Sequence, residues 1–438
     1  MRGILERQLT KHFGSRSVPE LRFYPHHHSH AVTAYHYSPF DEALVLTIDG
    51  SGDQHCAVVW HGRGGELVPL HEVTIPHSLG WFYAAITEYL GFDAYDGEYK
   101  VMGLAAYGRE NSQLREALAK VVSPGPHGWD YVVDPTFIHH GAHSFSDRFT
   151  DALVDLLDVT PRLGGAPLEG VHEDLAFETQ RLLEDHVLRL ATYFRERTGL
   201  RNLCIAGGVG LNVKMNSRLY LSGLFDDVFA FPIPNDSDTD IGAGAGLYQD
   251  ATGACVAPLE HIYWGSEWSD DDIEVQPRSC GLDYRACDGV AEDTAELLAQ
   301  GKAVAWFQGR LEGGPRALGG GSFLADPRDV ASRDRVNGAI KVCEYWRPFC
   351  PSLTKEPAAT YLQHHPVHAT RVRRHRGRRA GRPRGRARRL HRARANRRPA
   401  LEPAIPPAAE SLRAPHRRAG GAEHLIERQG RGPRGKPT

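Results

Sequence analysis

A run of histidines near the start of the chain, followed by a short apolar segment, most constrains what it can fold into. Residues 25–31 read Pro-His-His-His-Ser-His-Ala. Of the four histidines, only His26 and His30 are four residues apart, so on a helix their imidazoles share one face and can reach the same ion. Residues 43–48 are apolar and partly β-branched, which predicts a buried strand that ends at Asp49. These side chains would form a metal-binding face, although the spacing alone favours ordinary surface histidines beside a strand end.

The charge of the chain is divided unevenly along its length. Residues 370–438 hold 21 Arg and one Lys against four Glu, so the first 369 residues carry 30 basic and 50 acidic side chains. An acidic globular part argues against a nucleic-acid-binding body. The seven cysteines form no CxxC pair, and we find no 18-residue apolar run and no charged-then-apolar leader. We therefore expect reduced thiols, no membrane span and a cytoplasmic location.

Two glycine-containing segments predict contacts to a phosphate. Lys100 lies in the glycine-punctuated segment 97–108, where it could reach a phosphate, but a lone lysine is more often a solvated surface charge. Gly207 and Gly208 stand between a predicted strand, 202–206, and a helix start. Glycines at that position let backbone amides approach a phosphate, and they also suit plain tight packing.

Charged residues cluster in two later segments. Residues 235–240 carry alternate aspartates before a glycine-rich helix start, an arrangement that metal and nucleotide sites use; the glutamate of a calcium-binding EF-hand loop is missing. A new unit is predicted to begin near residue 290. Several of its basic residues lie on Gly/Pro turns, where they can bind phosphate or carboxylate groups, and for the whole cluster we favour this interpretation over solvated surface charges. These basic residues are Arg310, Arg316, Arg328, Lys341 and Arg347.

Together these segments resemble the NodU/CmcH-type carbamoyltransferases. The matching blocks run in family order from about residue 22 to 358: HHHSHA, SPFDEALVLTIDGSGD, EYKVMGLAAYG, AGGVGLNVKMN, PNDSDTDIGAG, GRLEGGPRALGGGSFLADPR and RVNGAIKVCEYWRPF. The resemblance implies an actin-like ATPase (ASKHA, TsaD-like) domain, similar to the enzymes of tRNA threonylcarbamoyl-adenosine synthesis, joined to a YrdC-like domain.

We therefore expect an α/β protein in three parts. Residues 1–260 would form the actin-like domain without its first segment, since only 25 residues precede His26. Residues 261–365 would form the beginning of the YrdC-like domain. Residues 366–438 would be an Arg-rich disordered tail, because from residue 370 it holds no aromatic Phe, Tyr or Trp and no Asp or Cys. Our hypothesis is that this tail is an out-of-frame translation.

The resemblance also implies a reaction and its site residues. Carbamoyl phosphate and ATP, with Mg²⁺, would give carbamoyl-adenylate in the YrdC-like part, and the metal-bearing domain would pass the carbamoyl group to a hydroxyl of a natural product or sugar. The family metal ligands fall on His26, His30, Asp49 and Asp236, a set that suits iron or zinc first, and also manganese. The catalytic anion contacts fall on Arg316, Lys341 and Arg347. The nucleotide contacts fall on Gly207, Gly208 and Asn212, to which we add Lys100 and Gly242.

Departures from the family pattern leave two alternatives open. The pattern prefers Arg at the positions of Gly321 and Cys343, and Gly at the position of Asp238, so we expect impaired turnover. One alternative is a relative of the tRNA threonylcarbamoyl-transfer enzymes, which normally lack the GPRALG-containing extension. The other is an inactive remnant that binds nucleic acid nonspecifically through its basic tail. A homodimer is also expected, whereas a membrane partner is not.

Overall fold

The computed structural model describes residues 2–14, 20–139 and 147–341, together with residues 344, 346, 347, 349 and 352. These residues divide into two compact units: 2–262 with the short segment 313–316, and 263–312 with the described residues from 317 onward. The predicted disordered tail, 366–438, lies outside the described residues. Within the described ranges, no helix combines the length and the apolar character that a bilayer crossing requires.

The first unit is built on a five-stranded sheet with the strand order β3-β2-β1-β6-β7. Strands β1 to β3 form an antiparallel meander, and β6 and β7 continue the sheet parallel to β1. A separate two-stranded ribbon joins β4 and β5. The strands are β1 (Glu42–Gly52), β2 (His55–Arg63), β3 (Glu66–Thr74), β4 (Val122–Pro124), β5 (Tyr131–Val133), β6 (Asn202–Ala206) and β7 (Asp227–Ala230).

The described part of the first unit also contains helices, and two of them, residues 26–36 and 79–89, pack directly on β1. The helices are α1 (Arg2–Phe13), α2 (His26–His36), α3 (Leu79–Tyr89), α4 (Glu98–Leu104), α5 (Ser112–Val121), α6 (Asp151–Leu157), α7 (Gly170–Thr198), α8 (Val213–Leu221) and α9 (Thr239–Thr252).

The central strand and the longest helix confirm their sequence patterns. Residues 43–48 of β1 are all buried because the strand lies inside the sheet, between β2 and β6, and is covered by helices. The sequence predicts an amphipathic helix over residues 174–197, and α7 buries its apolar stripe, which is formed by Ala176, Leu183, Val187, Leu190, Ala191 and Phe194. It ends at Gly199, whose φ of 72° is a left-handed conformation that glycine adopts without steric cost.

From the sequence alone we expect irregular structure over residues 110–170, and this prediction is wrong. Helix α5 lies there, and its buried side chains Leu114, Leu118 and Val121 follow helical spacing. Asn111 caps the helix, since its side-chain oxygen accepts a hydrogen bond from the backbone N–H of Leu114 at 3.2 Å. The local signals of a helix were therefore present in the sequence.

The second unit contains three helices and one antiparallel ribbon of two strands. The ribbon includes the strand predicted at residues 303–307. The elements are α10 (Asp270–Ser279), α11 (Val290–Ala299), β8 (Val304–Phe307), β9 (Gly321–Leu324) and α12 (Val330–Val336), which runs into a π-helical turn, Asn337–Lys341. This unit is α/β in composition, as the first is.

Candidate metal centre

Helix α2 is anchored at its first residue to the turn that follows β1. Pro25 precedes the helix in an extended conformation, with φ −58° and ψ 143°. The backbone N–H of His26 donates a hydrogen bond of 2.8 Å to the carboxylate of Asp53. An acceptor at a helix N-terminus satisfies a free amide and complements the helix dipole. The anchor fixes where the first turn of α2 begins, and with it the direction of both His26 and His30.

Three of the predicted ligands meet where β1 leaves the core. The Nε2 atom of His26 lies 3.0 Å from Asp49 Oδ2 and 3.0 Å from His30 Nε2. The Nε2 atom of His30 lies 3.1 Å from the same Asp49 oxygen. These separations are close to the edge length of about 3.4 Å that follows from a tetrahedral site with metal–ligand bonds of about 2.1 Å.

The fourth predicted ligand comes from the other end of the first unit. Asp236 Oδ1 lies 3.5 Å from His26 Nε2 and 3.7 Å from His30 Nε2. One ligand atom from each of the four residues falls within 4.8 Å of every other. The side chain of His30 is fully buried and that of Asp236 is 76% exposed. The cluster therefore has one face in the protein core and one face open to solvent, through which a small ligand can enter.

A second aspartate, Asp238, contacts the ring nitrogen of His30 that faces away from the cluster. The sequence placed it among the alternate aspartates of residues 235–240 and gave it no separate role. Asp238 Oδ1 lies 2.6 Å from His30 Nδ1, and both side chains are fully buried. Thr33 Oγ1 donates to the other oxygen of Asp238 at 2.8 Å. The spacing of Asp236 and Asp238, two residues apart before α9, was the only signal that could have suggested this second role.

The carboxylates around the imidazoles control the ionisation of the cluster. Burial alone would lower the pKa of His30, but hydrogen bonds to Asp236, Asp238 and Asp49 outweigh it and raise that pKa to about 11. Burial works to raise the pKa of Asp49, yet its hydrogen bonds with His26 and His30 lower it well below the usual range. The cluster thus concentrates negative charge around two imidazoles, which favours a bound cation.

Small residues make room for this arrangement. A Cβ atom at position 52 would lie 2.0 Å from Cδ2 of His26, and one at position 208 would lie 2.8 Å from Asp49 Oδ1. Gly207 has a φ of 86°, and a Cβ there would lie 2.3 Å from the carbonyl oxygen of Ile48. Gly207 and Gly208 therefore sit beside the end of β1, next to the metal ligands.

The other residues predicted to contact a nucleotide have structural contacts of their own. Asn212 caps α8 by accepting from the N–H of Met215 at 3.0 Å, and its side chain also bonds to Gln180. Gly242 lies in α9, where that helix packs on α2. Lys100 lies in α4 with its Nζ 5.4 Å from the centre of the Phe92 ring. These contacts do not test nucleotide binding, which stays a prediction for all three.

The three predicted catalytic cations are in the C-terminal part of the described chain. Arg316 is exposed, in the segment 313–316 that belongs to the first unit. Lys341 ends the π-helical turn of the second unit, with its Nζ 5.8 Å from the centre of the Phe323 ring. Arg347 forms an ion pair of 3.4 Å with Glu344. Their catalytic roles stay predictions.

Two carbamoyltransferase sequence profiles together match most of the chain. A sequence profile described as the carbamoyltransferase N-terminus matches residues 4–245, and one described as the carbamoyltransferase C-terminus matches residues 295–383. The crystal structure of HypF from T. kodakarensis aligns at a TM-score of 0.30 and 15% identity, over 57% of this chain and 39% of that one.

Curated nodulation proteins are similar over most of the chain. NolNO of Sinorhizobium fredii is 35% identical over 366 residues, which is 82% of this chain and 51% of the relative. NolO of Bradyrhizobium diazoefficiens is 36% identical over 344 residues, 77% of this chain and 60% of the relative. The chain thus spans between half and three fifths of the length of these relatives. Because the N-terminal profile covers more than half of the chain, the protein belongs to the carbamoyltransferase family.

Proposed function

We propose that this chain is an ATP- and metal-dependent O-carbamoyltransferase. In the proposed reaction, water cleaves carbamoyl phosphate to carbamate and phosphate, and the carbamate oxygen then attacks the α-phosphate of ATP, giving carbamoyl-adenylate and releasing pyrophosphate. The carbamoyl group then passes to a hydroxyl of a natural product or sugar, and AMP is released. The observation that carries the proposal is the convergence of His26, His30 and Asp49 with Asp236, a residue about 200 positions away in the sequence.

The donor set fits a transition metal. Two imidazole nitrogens and two carboxylate oxygens suit iron, zinc or manganese better than calcium, which prefers oxygen ligands alone. The Nδ1 atom of His30 is engaged by Asp238, so its Nε2 atom is the one that faces the cluster. When bound, such an ion would supply a positive centre that holds phosphate oxygens and polarises the carbamoyl carbonyl.

The chain's own groups would bind the substrates within each of the two units. In the first unit, we propose that Gly207 and Gly208 let a nucleotide approach the backbone beside Asp49, as at the carboxyl ends of parallel strands in other α/β proteins. This unit would then be the actin-like domain that the resemblance implies. Arg316, in the segment 313–316 of the first unit, would contact an anionic group of the substrates. In the second unit, Lys341 and Arg347 would neutralise the anionic groups of carbamoyl phosphate and adenylate. We assign that unit to the YrdC-like part.

The C-terminal match favours this function over the tRNA-modifying alternative. The GPRALG-containing segment falls within residues 295–383, which match the carbamoyltransferase C-terminus. The tRNA threonylcarbamoyl-transfer enzymes normally lack that extension. The same proposal includes an alcohol as the acceptor, a homodimer and a cytoplasmic location.

Two measurements test the proposal. Purified protein, supplied with Zn²⁺, Fe²⁺ or Mn²⁺ in turn, is mixed with carbamoyl phosphate, ATP and Mg²⁺, and pyrophosphate release is followed against a protein-free blank. We expect slow release, because the departures at Gly321 and Cys343 remove expected anion contacts. Bound metal is measured in parallel by elemental analysis of the unsubstituted chain, His26→Ala and His30→Ala.

A matched histidine provides the control. His61 lies on β2, outside the cluster, where its Nε2 is 2.8 Å from Glu42. His61→Ala should retain the metal and the pyrophosphate release, whereas His26→Ala and His30→Ala should lose both. Absence of pyrophosphate release with every metal would count against the transferase, and equal metal content in all four proteins would count against the metal centre.

A further inference from the structure

The strongest contact of the metal cluster is made by a residue that is not among its four ligands. Asp238 and His30 are separated by 2.6 Å between Oδ1 and Nδ1, which is shorter than any other histidine contact of the cluster. Both side chains have zero solvent exposure. A buried carboxylate at this distance forms a strong, charge-assisted hydrogen bond.

The hydrogen bonds around Asp238 define the proton position on His30. One oxygen of Asp238 accepts from Thr33 Oγ1 at 2.8 Å, so the carboxylate serves as an acceptor on that side. The other oxygen faces His30 Nδ1, which must therefore carry a proton to form the bond. A metal ion would then bind at Nε2, the atom that lies 3.1 Å from Asp49 Oδ2, and would displace any proton held there.

Asp238 has no path to a substrate. It is fully buried, and the ligand atoms that converge on the cluster come from the four other residues. It acts through His30 alone, as a carboxylate that orients a ligating imidazole and increases its basicity. This role also explains why an aspartate is accommodated where the family pattern has glycine, since His30 and Thr33 satisfy both of its oxygens.

We propose that Asp238 is a positioning residue that fixes the tautomer and orientation of His30 and thereby tightens the metal centre of this chain. The inference rests on the proposed metal site, and Thr33 supports it by holding Asp238. Loss of such a partner typically weakens metal binding about 10- to 100-fold. Asp238→Asn keeps the shape and one acceptor while removing the charge, and Asp238→Ala removes both.

The test is the affinity for Co²⁺ and Zn²⁺, measured with the full chain. Co²⁺ is titrated into chelator-treated protein while its visible absorption is followed, and Zn²⁺ affinity is obtained by displacement of that Co²⁺. We expect affinity to fall slightly in Thr33→Val, about 10-fold in Asp238→Asn and up to about 100-fold in Asp238→Ala. The Co²⁺ spectrum of the two Asp238 variants should shift as the imidazole reorients.

The matched control is Asp240→Asn. Asp240 is exposed in the first turn of α9 and accepts from the N–H of Ile241, so the substitution removes the same charge nearby without touching His30. It should leave the affinity within about twofold of the unsubstituted value. The unfolding midpoint of each metal-free protein distinguishes a positioning role from a purely structural one. If Asp238 were purely structural, its substitution would lower the midpoint and leave the metal affinity of the folded protein unchanged.

The outcomes are distinct. A loss of affinity in both Asp238 variants but not in Asp240→Asn supports the positioning role. If Asp238→Ala does not fold, the isosteric Asp238→Asn and Thr33→Val decide. If the unsubstituted chain binds metal and both Asp238→Asn and Thr33→Val bind it with the same affinity, the positioning role of Asp238 is overturned while the proposed metal centre stands. No metal binding by the unsubstituted chain overturns the proposed metal centre with it.

Discussion

Gly242 of α9 lies so close to Ser29 of α2 that a Cβ atom at position 242 would be 2.0 Å from the Ser29 carbonyl oxygen. The two helices thus meet at backbone distance. Because α2 carries His26 and His30, and the residues just before α9 include Asp236, this helix contact sets how the two halves of the candidate metal centre face each other.

Replacing Gly242 should therefore destabilise the protein. In a helix interior, Gly→Ala normally stabilises by up to about 1 kcal/mol. At position 242 the new methyl group must push the backbone of α2 away, and overpacking of this kind costs about 1 to 3 kcal/mol. Gly244 lies in the same helix, and a Cβ there meets nothing within 4 Å. Urea unfolding should show a lower midpoint for Gly242→Ala and an equal or higher one for Gly244→Ala. Equal effects of the two substitutions would refute a helix contact at position 242.

Gly52→Ala should weaken metal binding more than it affects folding. The Cβ would overlap the imidazole of His26, a side chain that can swing away at modest cost, and the movement would withdraw one ligand. We expect the affinity for Zn²⁺ to fall at least about 10-fold, as for loss of correct ligand orientation. Gly170→Ala is the control, since a Cβ there meets nothing within 4 Å. Competition with a chromogenic chelator measures the affinity; unchanged affinity in Gly52→Ala would contradict the observed packing.

The buried carboxylate of Glu178 should matter more for stability than the exposed carboxylate of Glu110, although both pair with Arg115. Glu178 is 1% exposed and accepts from the N–H of Asn111 at 2.7 Å and from Arg115 Nε at 3.2 Å. Glu178→Gln weakens both charge-assisted bonds and should cost about 1 to 3 kcal/mol in denaturant unfolding. Glu110→Gln should leave the midpoint unchanged, because exposed pairs contribute little. A larger loss in Glu110→Gln than in Glu178→Gln would reverse this ranking.

His186 should make the fold sensitive to mild acid. Burial, followed by the neighbouring charge of Arg189, lowers its pKa from 6.5 to about 4. As the pH falls below 6.5, His186 is protonated in the unfolded chain before it is protonated in the folded protein. The contribution of its neutral form to stability is therefore fully present above pH 6.5 and declines between pH 6.5 and 4. The loss attributable to this residue is about 2 to 3 kcal/mol. Unfolding of the unsubstituted chain and His186→Gln between pH 7.5 and 4.5 should show a shallower decline in the variant. Parallel pH profiles would contradict the lowered pKa.

Local patterns were sufficient to predict much of the first unit. The apolar run 43–48 defined the central strand, and the stripe of α7 was visible in its spacing. The positions of His26 and His30 on one helix face followed from a spacing of four residues. In contrast, the prediction of irregular structure over residues 110–170 was wrong. The sequence of α5 has both a capping residue, Asn111, and an apolar stripe, so local signals of this helix were present and were missed.

Long-range contacts account for what the sequence did not predict. The role of Asp238 depends on α9 docking against α2, a contact between residues 208 positions apart. Gly242 was predicted to contact a nucleotide, which stays a prediction, and no local feature of the sequence shows that this glycine also permits close packing of α9 on α2. A single sequence does not show how closely two helices approach each other, and it does not show in which direction a buried carboxylate points.

The positions of the four proposed ligands along the chain determine when an ion could bind all of them. His26, His30 and Asp49 emerge early from the ribosome, but Asp236 follows only after nearly all of the first unit has been synthesised. An ion held by all four would close a loop of about 200 residues, so full coordination requires that the sheet and α9 already be in place. Binding of an ion by all four residues would then be a late step in maturation, because it would follow folding of the first unit and would hold its early and late segments together.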